Sequence, residues 1–195
     1  MKKYLFLIFS LLAVCKTFAQ TGLKVGADAP LFSVKDNNGK TVDLKSIIKS
    51  HKAVVLFFYR GQWCPYCNKQ ISHLQDSLQL LTGEGAYVVG VTPETSENIN
   101  KTIEKTHASF SIIQDKGYAI MKDYRVNYTV GSDMLSKYKN YGIDLEKNNG
   151  NTDHVLPVPA TYIIGKNGKL IYVHFNPDYT KRPSVSKLLN AIKGV

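Results

Sequence analysis

The stretch Ala53-Val54-Val55-Leu56-Phe57-Phe58-Tyr59-Arg60-Gly61-Gln62-Trp63-Cys64-Pro65-Tyr66-Cys67 decides how the rest of the chain is read. Its first seven residues form an unbroken apolar run, rich in β-branched and aromatic side chains, which suits a strand buried on both faces. Beyond Cys67, the residues Ile71, Leu74, Leu78 and Leu81 recur at the three- and four-residue spacing of one helical face, and Gly83 and Gly85 end the pattern. Two cysteines two residues apart therefore stand where a central strand gives way to a long helix.

Working outward, the pattern alternates. Upstream, residues 31–34 and 41–44 flank an Asn38-Gly39 turn and read as a short hairpin. Downstream come a buried strand over residues 87–91, a helix over about 96–107 and a strand over 110–113. Residues 119–151 are broken up by Gly131, Gly142 and Gly150 and read as a partly helical insertion packed on the domain. A second hairpin, 161–164 and 170–175, turns at Lys166-Asn167-Gly168-Lys169, and a helix over 183–192 closes the chain with Pro183 near its start. Strands alternating with helices and ending in a hairpin describe an α/β fold, a mixed central sheet with helices on both faces.

The chain has 195 residues, 44% of them hydrophobic, a formal charge of +10 and three cysteines. That length suits one globular domain, and three cysteines exclude a disulfide-stapled miniprotein. Lys2 and Lys3 precede an apolar run over residues 4–14, too short to span a bilayer comfortably, and Thr17-Phe18-Ala19-Gln20 supplies small residues for a peptidase. Residues 1–19 therefore read as a secretory signal cut after Ala19, and residues 20–195 as a single domain outside the cytoplasm, periplasmic or extracellular, with no membrane insertion after cleavage. A lipid anchor on Cys15 fits less well, because Val14 stands where a small residue is wanted. Removing 19 of 195 residues takes away Cys15 and three lysines, leaving 176 residues, a charge of +7 and the pair Cys64 and Cys67. The remaining lysines are dispersed, only three residues are Arg, and Lys137 and Lys139 interleave with tyrosines on what reads as a solvated helix. General solubility accounts for this charge, and a nucleic-acid partner is not expected.

The placement of the pair has chemical content. In the first turn of a helix, unpaired backbone N–H groups and the dipole stabilise a thiolate, the reactive form of cysteine. The spacing lets one sulfur reach the other, and Pro65 is preset for a helix start. A purely structural disulfide closing so small a ring would constrain little of the unfolded chain. A zinc site would need two further ligands; there is no second CxxC, and His73 and His154 are unsupported candidates. No cofactor or metal is expected, and redox chemistry is the favoured reading. Far downstream, Leu156-Pro157-Val158-Pro159-Ala160-Thr161-Tyr162 enters a strand through a proline, a setting in which a cis X-Pro bond is expected.

A CxxC at a strand-to-helix junction, with Val158-Pro159-Ala160-Thr161 roughly 95 residues later, resembles the thioredoxin superfamily, whose proline is cis and lies against the active cysteines; Pro159 would be that proline and Val158 the residue before it. More closely, the chain resembles the peroxiredoxin-like branch of the alkyl hydroperoxide reductase/thiol-specific antioxidant (AhpC/TSA) family. The matching segments are residues 58–68, Val91-Thr92-Pro93-Glu94-Thr95, residues 156–162, Pro177-Asp178-Tyr179-Thr180-Lys181-Arg182 and the insertion around Gly142-Ile143-Asp144-Leu145. Counted from Tyr59, Arg60 falls where the family has Pro, Cys64 where it has Thr, and Cys67 at its peroxidatic position. The family's downstream Arg falls at Pro159, leaving Arg60 and Arg182 as stand-ins.

The resemblance implies a thioredoxin-like fold and an exported thiol-dependent oxidoreductase that reduces peroxides through Cys64 and Cys67, reset by an external thioredoxin-like thiol. Trp63, Pro65, Tyr66, Arg60, Val158, Pro159 and Arg182 would support the site, with Trp63 shielding the cysteines. Register favours Cys67 as attacker, whereas exposure at the helix tip favours Cys64; in disulfide exchange, helix geometry makes Cys64 the attacker. Many relatives pair through edges near the active site, which leaves a homodimer open. Two other readings stand beside this one. One is a thiol–disulfide oxidoreductase acting on protein disulfides, consistent with the glutaredoxin-like Pro-Tyr dipeptide. The other is a copper-binding thioredoxin-fold protein, although such proteins space their cysteines by three residues. His73, His107 and His174 read as surface or core residues, and Phe58 and Tyr59 as core; Glu94 lies near the site by the family resemblance or sits at the helix start near Ser96, the latter being favoured.

Overall fold

The computed structural model describes residues 21–194. The expected signal segment, its cleavage site and Cys15 lie outside the described residues. In chain order the elements are β1 (Ser33–Lys35), β2 (Thr41–Asp43), α1 (Leu44–Ser50), β3 (Ala53–Phe58), α2 (Pro65–Asp76), α3 (Leu78–Gly83), β4 (Ala86–Thr92) and α4 (Ser96–Thr106). They continue with β5 (Ser111–Gln114), α5 (Ala119–Asp123), β6 (Asn127–Thr129), α6 (Ser132–Asn140), α7 (Leu145–Asn149), β7 (Val155–Pro157), β8 (Ala160–Gly165), β9 (Leu170–Phe175) and α8 (Val185–Lys193).

Five strands form the central sheet in the order β5-β4-β3-β8-β9. β3 runs parallel to β4 and β4 to β5, while β8 is antiparallel to both β3 and β9. Every residue of β3 is buried, and its side chains alternate between two cores. Val54, Leu56 and Phe58 point to the layer holding Leu44 and Ile48 of α1 with Ile120 and Met121 of α5. Ala53, Val55 and Phe57 point to the layer holding Ile71 and Leu74 of α2, Ile99 of α4, and Leu188 and Ile192 of α8. Helices on both faces explain why the run carries no polar alternation. The fold is the expected thioredoxin-like α/β sandwich. Gly90 of β4 lies directly opposite Phe57, and a Cβ there would come within 2.7 Å of the Phe57 ring; the missing side chain is what seats that ring.

The structure departs from the sequence reading in local ways. The long helix after the cysteines is two helices, α2 and α3, broken at Ser77, whose φ and ψ are −104° and 10°. The seven-residue α1 follows directly on the first hairpin, its N-terminus capped by Asp43, whose Oδ1 accepts from Ser46 N at 2.7 Å. The insertion contains β6, which pairs antiparallel with β7, and a small core of Val130, Leu145 and Leu156. No peptide bond among the described residues is cis, so the expectation for Val158–Pro159 is not met. Two residues carry the chain from β7 to β8, and Val158 N donates to Val126 O at 2.7 Å, extending the β6–β7 ladder. The chain passes between the two sheets without the tight reversal that favours a cis bond.

Candidate active site

β3 aims the chain at the site. Tyr59 N still donates to Val91 O across the sheet, and the loop then closes through Cys64 N donating to Gly61 O at 3.1 Å. Cys64 is the N-cap of α2, Pro65 is its first residue, and the backbone N–H groups of Cys67 and Asn68 both donate to Cys64 O. This seats both sulfurs at the positive end of a twelve-residue helix. The thiols are free, with Sγ of Cys67 2.7 Å from Sγ of Cys64. Both residues have 0% exposure. The expected exposure of Cys64 at the helix tip is therefore corrected: Cys64 belongs to the core that holds Ile71 and Ile99, and Tyr66, two positions on, is the exposed residue.

Each sulfur has its own arginine. Arg60 Nη2 donates to Cys64 Sγ at 3.4 Å, and Arg182 Nη2 to Cys67 Sγ at 3.5 Å. Arg60 is buried, its guanidinium 3.9 Å from the Tyr179 ring centroid and 5.0 Å from that of Trp63, and its Nη1 donates to the Tyr138 hydroxyl at 3.0 Å. Arg182 is fixed by Gln70 Oε1 at 2.6 Å and by the carbonyls of Tyr179 and Lys181. Gln70 Nε2 in turn donates to Thr161 Oγ1 on β8 at 3.1 Å.

The two thiols are driven apart in acidity. The hydrogen bond from the Cys67 thiol holds Cys64 down at about 5, helped by the Arg60 charge and against the effect of burial. Burial pushes Cys67 well above the usual thiol range, and the Cys64 charge reinforces the rise. At neutral pH the arrangement is a thiolate on Cys64 and a protonated Cys67 donating to it.

The remaining expected residues fall in different places. Trp63 packs against both the cysteine core and the insertion core, its ring 5.3 Å from that of Tyr138. The exposed Tyr66 sets its ring 5.9 Å from that of Tyr179. Arg60, Trp63, Tyr66, Tyr138, Tyr141 and Tyr179 line one cleft of about 320 Å³. Val158 and Pro159, with Tyr128, Pro177 and Tyr179, line a neighbouring cavity that shares Tyr179 with the cleft. His154 bonds Glu146 at 2.9 Å, and among the described residues no three His, Cys, Asp or Glu side chains gather as they would around a metal.

Two features escaped the sequence reading, and a third was left between two placements. Tyr138, placed there on a solvated helix, faces inward onto Arg60. Gln70 is a polar residue on the buried face of α2, and that misplaced polarity was its only signal. Glu94 precedes the N-cap Thr95 of α4, as the helix-start reading had it, but it also meets the other reading: it has 0% exposure, and its Oε2 accepts from Gln62 N at 2.7 Å, in the loop leading to Cys64.

A dithiol at the N-terminus of a helix, fed by the central strand of a thioredoxin-like sandwich, defines a thiol-based oxidoreductase of the thioredoxin superfamily. The family model described as the AhpC/TSA family matches residues 25–173, and the chain belongs to that family. The chloroplastic peroxiredoxin Q of Sedum lineare is 28% identical over 170 residues, covering 86% of this chain and 78% of that protein. Its counterpart in Triticum aestivum is 26% identical, covering 87% and 67%. Among solved structures, peroxidoxin BcpB from Mycobacterium tuberculosis superposes with a TM-score of 0.68 at 18% identity, covering 89% of this chain and 98% of that one. A peroxiredoxin-like protein from Aquifex aeolicus gives 0.65 at 21% identity, covering 89% and 88%.

Proposed function

We propose that this chain is a thiol peroxidase in which Cys64 attacks and Cys67 resolves. The observation that carries the reading is the asymmetric sulfur pair, with Cys67 donating to Cys64 at 2.7 Å and Arg60 against Cys64 at 3.4 Å. The Cys64 thiolate attacks the terminal oxygen of a hydroperoxide; the O–O bond breaks, Cys64 becomes a sulfenic acid, and the alkoxide takes a proton and leaves as alcohol. Cys67 gives up its proton and attacks the Cys64 sulfur, displacing hydroxide that departs as water and leaving a Cys64–Cys67 disulfide. Two equivalents of an external thiol, of the thioredoxin-like kind, return the pair to the dithiol. Arg60, set between Tyr179 and Trp63, supports the thiolate, and Arg182 supports Cys67 when it ionises to resolve.

The decisive experiment is peroxide turnover by single Cys→Ser variants. Cys64→Ser is expected to be inactive, while Cys67→Ser should consume about one equivalent and stop unless added thiol resolves it. If no variant and no wild-type sample consumes peroxide above the double mutant, the peroxidase reading fails. A CxxC at a helix start also suits disulfide exchange with proteins. Both sulfurs are buried, however, so insulin reduction is expected to lag far behind peroxide turnover by the same sample. The proposal includes export after cleavage at Ala19, a mature single domain over residues 20–195 and a homodimer. N-terminal sequencing of the mature protein and sedimentation equilibrium test these.

A further inference from the structure

Glu94 is a buried acid that the mechanism above leaves without a task. It follows Pro93 after β4, with 0% exposure. Its Oε2 is bound by Gln62 N, but its Oε1 is buried with no partner, and so is Nε1 of Trp63. Both unpartnered atoms crowd the face of Gly61 where a Cβ would stand; a side chain there would collide with each of them. The groups facing the carboxyl are Tyr59 beyond β3, Cys64 at the head of α2, and Lys105 and Lys101 on α4. Lys105 bonds Gln62 rather than Glu94. A carboxylate with one oxygen unsatisfied in such a place is costly, and a thiolate on Cys64 raises that cost by repulsion.

We propose that Glu94 is the proton partner of the Cys64–Cys67 couple: its carboxyl keeps a proton while Cys64 is a thiolate and releases it when the pair is oxidised. Loss of the sulfur charge removes the repulsion, and a small closure over Gly61 gives Oε1 the Trp63 Nε1–H as a second donor. The balance then closes. The reduced protein carries Cys64–S⁻, Cys67–SH and Glu94–COOH; the oxidised protein carries the disulfide and Glu94–COO⁻. The difference is two electrons and two protons, which is what conversion of ROOH to ROH and water consumes. Burial already holds Glu94 up at about 8 in the reduced protein, in keeping with this state.

The inference rests on the reading of Cys64 as thiolate, and the test separates the two. The reduction potential of the pair is measured against a thiol buffer from about pH 6.5 to 7.5, in wild type and in Glu94→Gln. Each proton taken up with the two electrons changes the equilibrium constant tenfold per pH unit, ~30 mV. Wild type is expected to approach two protons and Glu94→Gln to show one. Equal slopes in the two proteins overturn the role of Glu94 while leaving the peroxidase reading intact. If the cysteines form no disulfide at all, both fall. Should the variant not fold, redox difference infrared spectra of the wild-type protein carry the test. Reduction should add a protonated-carboxyl band, and absence of that band refutes the proposal.

Discussion

Replacing Arg60 by Met removes the fixed cation beside Cys64 while keeping much of the volume between Tyr179 and Trp63. The lost contact is a hydrogen bond to a charged sulfur at 3.4 Å, of a kind worth about 1.5–3 kcal/mol. At about 1.4 kcal/mol per pKa unit, this amounts to a rise of about one to two units, from about 5 to about 6–7. The thiolate fraction at neutral pH would then fall from nearly complete to between about half and nine-tenths. The thiol of Cys67 is the larger support, so Cys67→Ala should move the midpoint further than Arg60→Met. Arg60→Lys, which keeps a charge but not the two-pronged geometry reaching both Cys64 and Tyr138, should fall between wild type and Met. The assay is the pH dependence of thiolate ultraviolet absorbance and of alkylation rate, with circular dichroism to check folding. Because Cys67 titrates far higher, the first transition belongs to Cys64. A midpoint in Arg60→Met within about 0.3 unit of wild type, or a larger shift in Arg60→Met than in Cys67→Ala, would refute this account of the thiolate.

Three further outcomes follow from the same geometry. Arg182→Met should push Cys67 higher still, slow the resolving step and leave more Cys64 as sulfinic acid under excess peroxide, measurable by intact mass. Glu94 holds its proton more tightly folded than unfolded, so the stability it contributes is full below its ordinary value of 4.5 and is lost as pH rises through about 8. The decline has a slope of about 1.4 kcal/mol per pH unit at most, and urea melts of Glu94→Gln should show it flattened. Gly61→Ala forces a methyl group onto Glu94 and Trp63 and should cost about 1–3 kcal/mol in unfolding free energy.

Much of the framework was visible in patterns local to the chain. The apolar run before Arg60, the spacing of Ile71 and Leu74, and the Asn38-Gly39 turn each encode their own element, and the cysteine pair could be placed at a helix start from its neighbours alone. Three parts of the site were not local. Tyr138 sits among lysines on a helix with no fully buried residue, so nothing in its surroundings announced an inward role; the contact exists because the insertion folds back over Arg60. Cys64 is buried in a core that includes Ile163, Leu188 and Ile192, all distant in sequence, and so its burial was invisible as well. The family's downstream arginine falls at Pro159, and the two stand-ins named from the sequence each donate to one sulfur: Arg60 lies four residues before Cys64, whereas Arg182 comes from 115 residues beyond Cys67, a contact its position did not announce. The cis expectation failed for a similar reason, since it took a proline before a strand as a turn and missed the pairing of β6 with β7.

The small core of Val130, Leu145 and Leu156 beneath the insertion has a dynamic consequence. Three buried side chains support far less stability than the layers on either side of β3, so the β6–β7 unit is expected to open as a separate segment at less cost than global unfolding. Amide hydrogens of Tyr128 and Leu156 should therefore exchange well ahead of those in Val55 and Leu56. Tyr138 packs on this core and accepts from Arg60, so the contact beside the Cys64 site is expected to share in that segment's motion. The testable consequence is kinetic: turnover of bulky peroxides is expected to track the exchange rate of the insertion, and independence of the two would refute a gating role for it.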